Sequence, residues 1–206
     1  MRAVDERARA VGRFLLARRR ELGLTQRAVA FRAGMSQNSV LRFEKGLWPV
    51  RSLSMTAALA KALEVNSYGL VVMVANGGEE IDRDVHLPSV MGRLAHSGVC
   101  RAHEPECLGE LVFLLRVSAR LGCASTARNA ELHAATWEKL ERGRYLPSIP
   151  VLERIAGSLG RDAEEYRVPL LVLAMRDQLR RQYYAARGQR WFPHWTRPGS
   201  LAERER

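Results

Sequence analysis

Gln37, Asn38 and Arg42 lie within six residues of one another and carry flat, forked polar ends that can pair with the edge of a nucleobase. A primary amide sets one donor beside one acceptor, the pattern that adenine displays in the major groove. A guanidinium sets two N–H groups in parallel, which match O6 and N7 of guanine. Each good pair of this kind contributes roughly 1–3 kcal/mol of discrimination between bases. Ser36 and Ser39 flank the amides with hydroxyls that either donate or accept. Thr25, Gln26, Arg27, Lys45 and Arg51 are of the types that hold phosphate oxygens, a contact that positions without reading sequence. The spacing is productive if 37–45 is one helix. Asn38 and Arg42 then share a face, and the first residues sit at a helix N-terminus, where unpaired N–H groups and the helix dipole favour an anion.

The surrounding sequence supplies that helix. Ser36 is a cap candidate for Gln37–Lys45, and Gly46 ends it. Upstream, Asp5–Glu21 predicts a helix with Val11, Phe14 and Leu15 on one face, stopped by Gly23. Thr25 is positioned to cap a short helix, Gln26–Ala33, and Gly34 to make a left-handed turn after it. Ser52 starts a further helix through Leu63. The β-branched run Leu70–Val74 predicts a short strand. Asn76-Gly77-Gly78 would turn it into a hairpin returning through Ile81 to Val85. A linker with Pro88, Gly92, Gly98 and Pro105 follows. Pro169 predicts the first residue of a last helix running to about Arg187, with 190–206 as a tail without periodicity.

The first third of the chain has a counterpart further on. A shift of 97 residues aligns Gly12–Gly46 with Gly109–Gly143 without a gap, with identities at Gly12/Gly109, Arg19/Arg116, Leu24/Leu121, Ala30/Ala127, Ala33/Ala130, Glu44/Glu141 and Gly46/Gly143. Duplication is the expectation, with four segments: 1–68, a linking segment 69–107, the second copy 108–166, and a basic helix and tail 167–206. Charge follows these segments. The net charge is +11, and residues 1–75 hold 13 Lys/Arg against 5 Asp/Glu, whereas 108–166 hold 8 of each. An anionic partner is expected for the first copy and not for the second.

Gly23-Leu24-Thr25-Gln26, Val29-Ala30, Gly34-Met35-Ser36, Val40, Phe43-Glu44-Lys45-Gly46 and Pro49 resemble the Cro/C1-type repressor family, also called the xenobiotic-response-element helix-turn-helix family. The resemblance spans 11–65. It implies a mainly α-helical fold, here two lambda-repressor-like five-helix domains joined by a short β element and linker. It implies that Ser36, Gln37, Asn38, Ser39 and Arg42 face base edges. Thr25, Gln26, Arg27, Lys45 and Arg51 would then hold phosphates, Gln26 in the family's manner. It also implies a regulator that binds operator DNA as a homodimer, with half-sites about one helical turn apart, and that represses a promoter in a phage, plasmid or other mobile element. Two other readings stand beside this one. One is an antitoxin-like interaction protein whose second copy binds another protein. The other is a monomer that reads an asymmetric site with both copies.

The second copy resembles the same fold but loses the reading side chains. Gln26 becomes Cys123, Ser36 becomes His133, Gln37-Asn38 become Ala134-Ala135, Val40 becomes Trp137, and Gly34 becomes Glu131. Self-association or a protein partner is the preferred role for it. Thr136, Lys139, Arg142 and Arg144 are the residues through which it would touch DNA in the competing reading.

Other chemistry finds less support. His96, Cys100, His103 and Cys107 have the types of zinc ligands, but Pro105 interrupts the helix that would align them, so an ordinary linker is expected, without metal or other cofactor. No nucleophile-elbow, Walker or dinucleotide motif occurs, so no enzyme activity is expected. The longest apolar runs, Gly69–Ala75 and Val168–Met175, are too short to span a bilayer. The charged N-terminus and three cysteines fit a protein of the reducing cytoplasm.

Overall fold

A computed structural model describes residues 6–76, 105–159, 163–191 and 193. These residues form ten α-helices and no strand, divided between two units, 1–85 and 86–206. The expected pair of five-helix domains is present.

The first unit contains α1 (Glu6–Glu21), α2 (Gln26–Ala33), α3 (Gln37–Glu44), α4 (Leu53–Ala62) and α5 (Ser67–Asn76). Helix α1 packs on α3 and α5, and α2 on α3 and α4. Val11, Leu15, Val29, Ala30, Val40, Phe43, Leu59 and Leu63 make the shared core. Ala30 is buried, and a larger side chain there would push on the core between the short helices. Both expected caps form. The Ala28 N–H donates to Thr25 Oγ1 at 3.1 Å, and the Ser39 N–H to Ser36 Oγ at 3.1 Å. Gly34 turns left-handed with φ +62°.

The β element is not there. Leu70–Val74 lies inside helix α5, with Leu70 and Met73 in the core of the unit. A continuous apolar run has no period that separates strand from buried helix, and burial overrides the modest strand preference of three valines. The missed signal is Asn66. Its side-chain oxygen accepts from the Tyr68 and Gly69 N–H groups at 2.8 and 3.2 Å, an N-cap that starts α5. The returning strand Ile81–Val85 and the residues His96, Cys100 and His103 lie outside the described residues.

The second unit contains α6 (Leu108–Ser118), α7 (Cys123–Asn129), α8 (Ala134–Glu141), α9 (Ile149–Ser158) and α10 (Ala163–Ala185). Helix α6 packs on α8, α7 on α8 and α9, and α10 on α9 and α6. Pro169 does not open α10 but sits inside it, six residues from its start. The ring removes one helical hydrogen bond. The run that follows, Leu170–Met175, is wholly buried, so packing outweighs that loss.

Duplication is visible in the backbone. A Cβ on Gly12 would meet the Phe43 and Glu44 carbonyl oxygens at 2.5 and 2.7 Å. One on Gly109 would meet those of Leu140 and Glu141 at the same two distances. Each copy therefore needs glycine where its first helix crosses the end of its third.

The turn of the second copy survives the exchange of Gly34 for Glu131, which takes φ +56°. No contact blocks a Cβ at the Gly34 position, so the strain is one of conformation. A left-handed residue with a side chain costs roughly 1–2 kcal/mol. Glu131→Gly is expected to stabilise the second unit by a few tenths to about 1 kcal/mol, the part of that strain left after the glycine's own entropy loss and the exposed Arg154 ion pair are set against it. Chemical denaturation of the variant checks this, and an unchanged midpoint would refute it.

Asp177 of α10 is buried, and its Oδ2 accepts from the Leu108 N–H at 2.9 Å, capping α6 from 69 positions away. Its Oδ1 has no partner among the described residues. Burial pushes this carboxyl up to about 7 against the opposing pull of the Leu108 N–H and of Arg176, Arg180 and Arg181. Beside it burial, with Asp177 and Glu110, raises the Cys107 thiol to about 12. The folded state thus binds the Asp177 proton more tightly than the unfolded chain does. The resulting stability is fully present below pH 4 and is lost as pH rises towards 7. Asp177→Asn should match the wild type at pH 4 and exceed it at pH 8 by on the order of 1–3 kcal/mol, the scale of an unsatisfied buried acceptor. Melting curves across that range test the sign: a gap that does not widen with pH excludes the assignment.

Candidate nucleic-acid interface

Helix α3 begins at a capped, exposed N-terminus. Ser36, Gln37 and Asn38 are exposed, and Val40, Phe43 and Glu44 on the other side are buried. The core therefore fixes which face of α3 looks outward. Ser39 is half-buried, and its hydroxyl lies 2.8 Å from Ser36 Oγ. Arg42, one turn beyond Asn38, is half-buried. Its guanidinium lies over the Trp48 ring, 4.4 Å from the centroid. Thr25, Arg27, Lys45 and Arg51 are all exposed. Trp48 was not among the residues expected from the sequence. It lies beyond the end of α3, so no helical spacing links it to Arg42.

Gln26 is tied down. Its Nε2 donates to Glu44 Oε2 at 2.8 Å. The same carboxylate receives Arg19 Nε at 2.5 Å and Nη2 at 3.1 Å, while Arg19 Nη1 donates to the Leu24 carbonyl at 2.8 Å. Hydrogen bonding to Glu44 holds the Arg19 guanidinium above its ordinary range. The buried Glu44 thus joins α1, the start of α2 and the end of α3, and fixes the angle at which α3 is presented. Gln26 keeps a second amide N–H that can donate to a phosphate, and its carbonyl oxygen can accept from water.

The second copy repeats this frame with a different third member. Arg116 Nε and Nη2 donate to Glu141 at 2.5 and 3.1 Å, and Nη1 to the Leu121 carbonyl at 3.0 Å. The bond that Gln26 makes in the first copy is made here by the Trp137 indole, whose Nε1 donates to Glu141 Oε1 at 2.7 Å. Trp137, at the Val40 position, is fully buried. Cys123, at the Gln26 position, has its thiol raised by burial and then by the Glu141 charge. The two exchanges compensate: the larger ring fills the core and replaces the lost amide donor.

The frame survives while the outward residues do not. His133 and Gly122 stand at the two cap positions and make no side-chain cap bond. Ala134 and Ala135 are exposed and have nothing to offer a base edge. Of the residues for a second reader, Lys139 and Arg144 are exposed, Thr136 is half-buried, and Arg142 is drawn to Glu138 at 3.4 Å. Behind α8, Arg181 Nη2 donates to the Gly143 carbonyl at 2.8 Å, and Pro193 lies against Gly143. Among the described residues no group of three or more metal-binding side chains gathers, and Cys107 caps α6 through its sulfur. No described helix is long and apolar enough to cross a membrane.

Among known proteins, the family model described as a helix-turn-helix domain matches this chain twice, at residues 10–67 and 108–167. No curated protein and no solved structure matches. The two matches cover more than half of the chain, and each coincides with one of the frames built around a part-buried Arg–Glu pair. The chain belongs to the helix-turn-helix family of DNA-binding regulators, in its Cro/C1-like branch, and carries the domain in two copies.

Proposed function

We propose that the protein is a sequence-specific repressor that reads operator DNA through α3 of its first copy alone. Ser36, Gln37, Asn38 and Arg42 would contact base edges. Thr25, Gln26, Arg27, Lys45 and Arg51 would hold the phosphate backbone, and the chain would occlude a promoter as a homodimer on a two-fold site. The observation that carries this reading is the contrast between the copies. One frame is used twice, and only the first presents amides at a side-chain-capped helix N-terminus, with the Arg42 guanidinium one turn further along. The second copy would serve self-association or a protein partner, consistent with the neutral charge of 108–166.

Selection of bound sequences from random DNA, with the stoichiometry measured on the enriched site, tests this. A palindrome occupied by two chains supports it. An asymmetric site occupied by one chain would replace it with joint reading by both copies. The absence of any enriched sequence would overturn it.

A further inference from the structure

Within the reading of α3 as the base-contacting helix, on which this inference rests, we propose that Trp48 is a positioning residue that aims Arg42 at a guanine. Three observations converge on it. The Arg42 guanidinium lies over the Trp48 ring at 4.4 Å. The ring is itself held from below by Phe43, with centroids 6.2 Å apart and planes inclined at 61°, and Phe43 is a core residue. Trp48 nevertheless remains 44% exposed, so core packing does not account for a side chain of that size in a loop. The sequence of supports runs from the core through Phe43 and Trp48 to Arg42.

Stacking differs from ion pairing in what it leaves available. Arg18, Arg19 and Arg32 of the same unit each spend donors on carboxylates or carbonyls. The Arg42 guanidinium has no hydrogen-bond or ion-pair partner among the described residues, and the Arg42 carbonyl accepts from the Leu47 N–H. A cation–π contact holds the guanidinium over the ring without engaging its N–H groups on a carboxylate or carbonyl, and those N–H groups are what pair with O6 and N7 of guanine. Holding the side chain in place before docking also removes part of the ordering cost of binding. The second copy carries Lys139 at the Arg42 position, with no aromatic ring stacked on it among the described residues. The device accompanies the copy that keeps the amides.

The test is selection from random DNA with the full chain and four variants. Arg42→Ala should flatten the preference for guanine at one base pair of each half-site. Trp48→Leu, which keeps an apolar contact on Phe43 but has no ring face, should lower the preference at that same pair by about two- to fivefold, the scale of an exposed cation–π contact. Trp48→Tyr should restore most of it, and the double variant Arg42→Ala/Trp48→Leu should be no flatter there than Arg42→Ala. If Trp48→Leu weakens binding to all sequences alike, the role is structural and the proposal fails. If Arg42→Ala flattens one position and Trp48→Leu leaves it intact, the proposal fails while base reading by Arg42 stands. If Arg42→Ala changes no position, both fail.

Discussion

Replacing Gln37 and Asn38 together by alanine is expected to remove about 2–6 kcal/mol per half-site of preference for the operator over random DNA, two bidentate contacts at roughly 1–3 kcal/mol each. Binding would not vanish. Arg27, Lys45 and Arg51 remain exposed, and phosphate contacts supply a sequence-independent, salt-dependent affinity. The variant should therefore bind all DNA close to the level at which the wild type binds non-specific DNA, keeping only the preference that Arg42 and Ser36 supply, with the same dependence on salt. The fold should hold, because both side chains are exposed and the Ser36 cap uses the Ser39 N–H, which the change does not touch. Competition titrations with operator and scrambled duplexes at one salt concentration measure the difference. An undiminished preference after the double change would mean that Gln37 and Asn38 do not read the bases.

The second large effect belongs to the other copy. Trp137→Val restores the residue found at that position in the first copy, yet it should destabilise the second unit by about 3–5 kcal/mol. The change empties much of a fully buried site and takes away the indole donor on Glu141. Adding Cys123→Gln should recover about 1–2 kcal/mol, because an amide there can reach the carboxylate as Gln26 reaches Glu44. The recovery should be absent when Cys123→Gln is made alone, where the indole already holds the bond. Denaturant unfolding of the four proteins closes the cycle. Strict additivity would show that the two exchanges do not compensate.

Much of this molecule could be read from its sequence for a physical reason. Helix starts and turns are set by local chemistry, so Thr25, Ser36 and Gly34 marked α2 and α3 correctly. The duplication was legible because Gly12, Arg19 and Glu44, repeated at Gly109, Arg116 and Glu141, are demanded by the frame itself. What was misread depended on tertiary burial. The valines of α5 looked like a strand until the groove they fill was known, and Pro169 marked a helix start only when the packing of the residues after it was left out. Trp48 was invisible as a functional residue because its relation to Arg42 exists only across the end of a helix.

The repeated Arg–Glu frame has a consequence for how such a chain changes over generations. Residues that keep the domain folded, Gly109, Arg116, Trp137 and Glu141, are buried or half-buried, and those that would meet a ligand, His133, Ala134 and Ala135, are exposed. Selection for a folded domain and selection for a particular target therefore act on separate sets of positions. A duplicate released from its target can lose its contact residues one by one while its interior is still purified by the need to fold. Even the interior can differ between copies, provided that the glutamate keeps a donor, as Glu141 does from the Trp137 indole where Glu44 has the Gln26 amide.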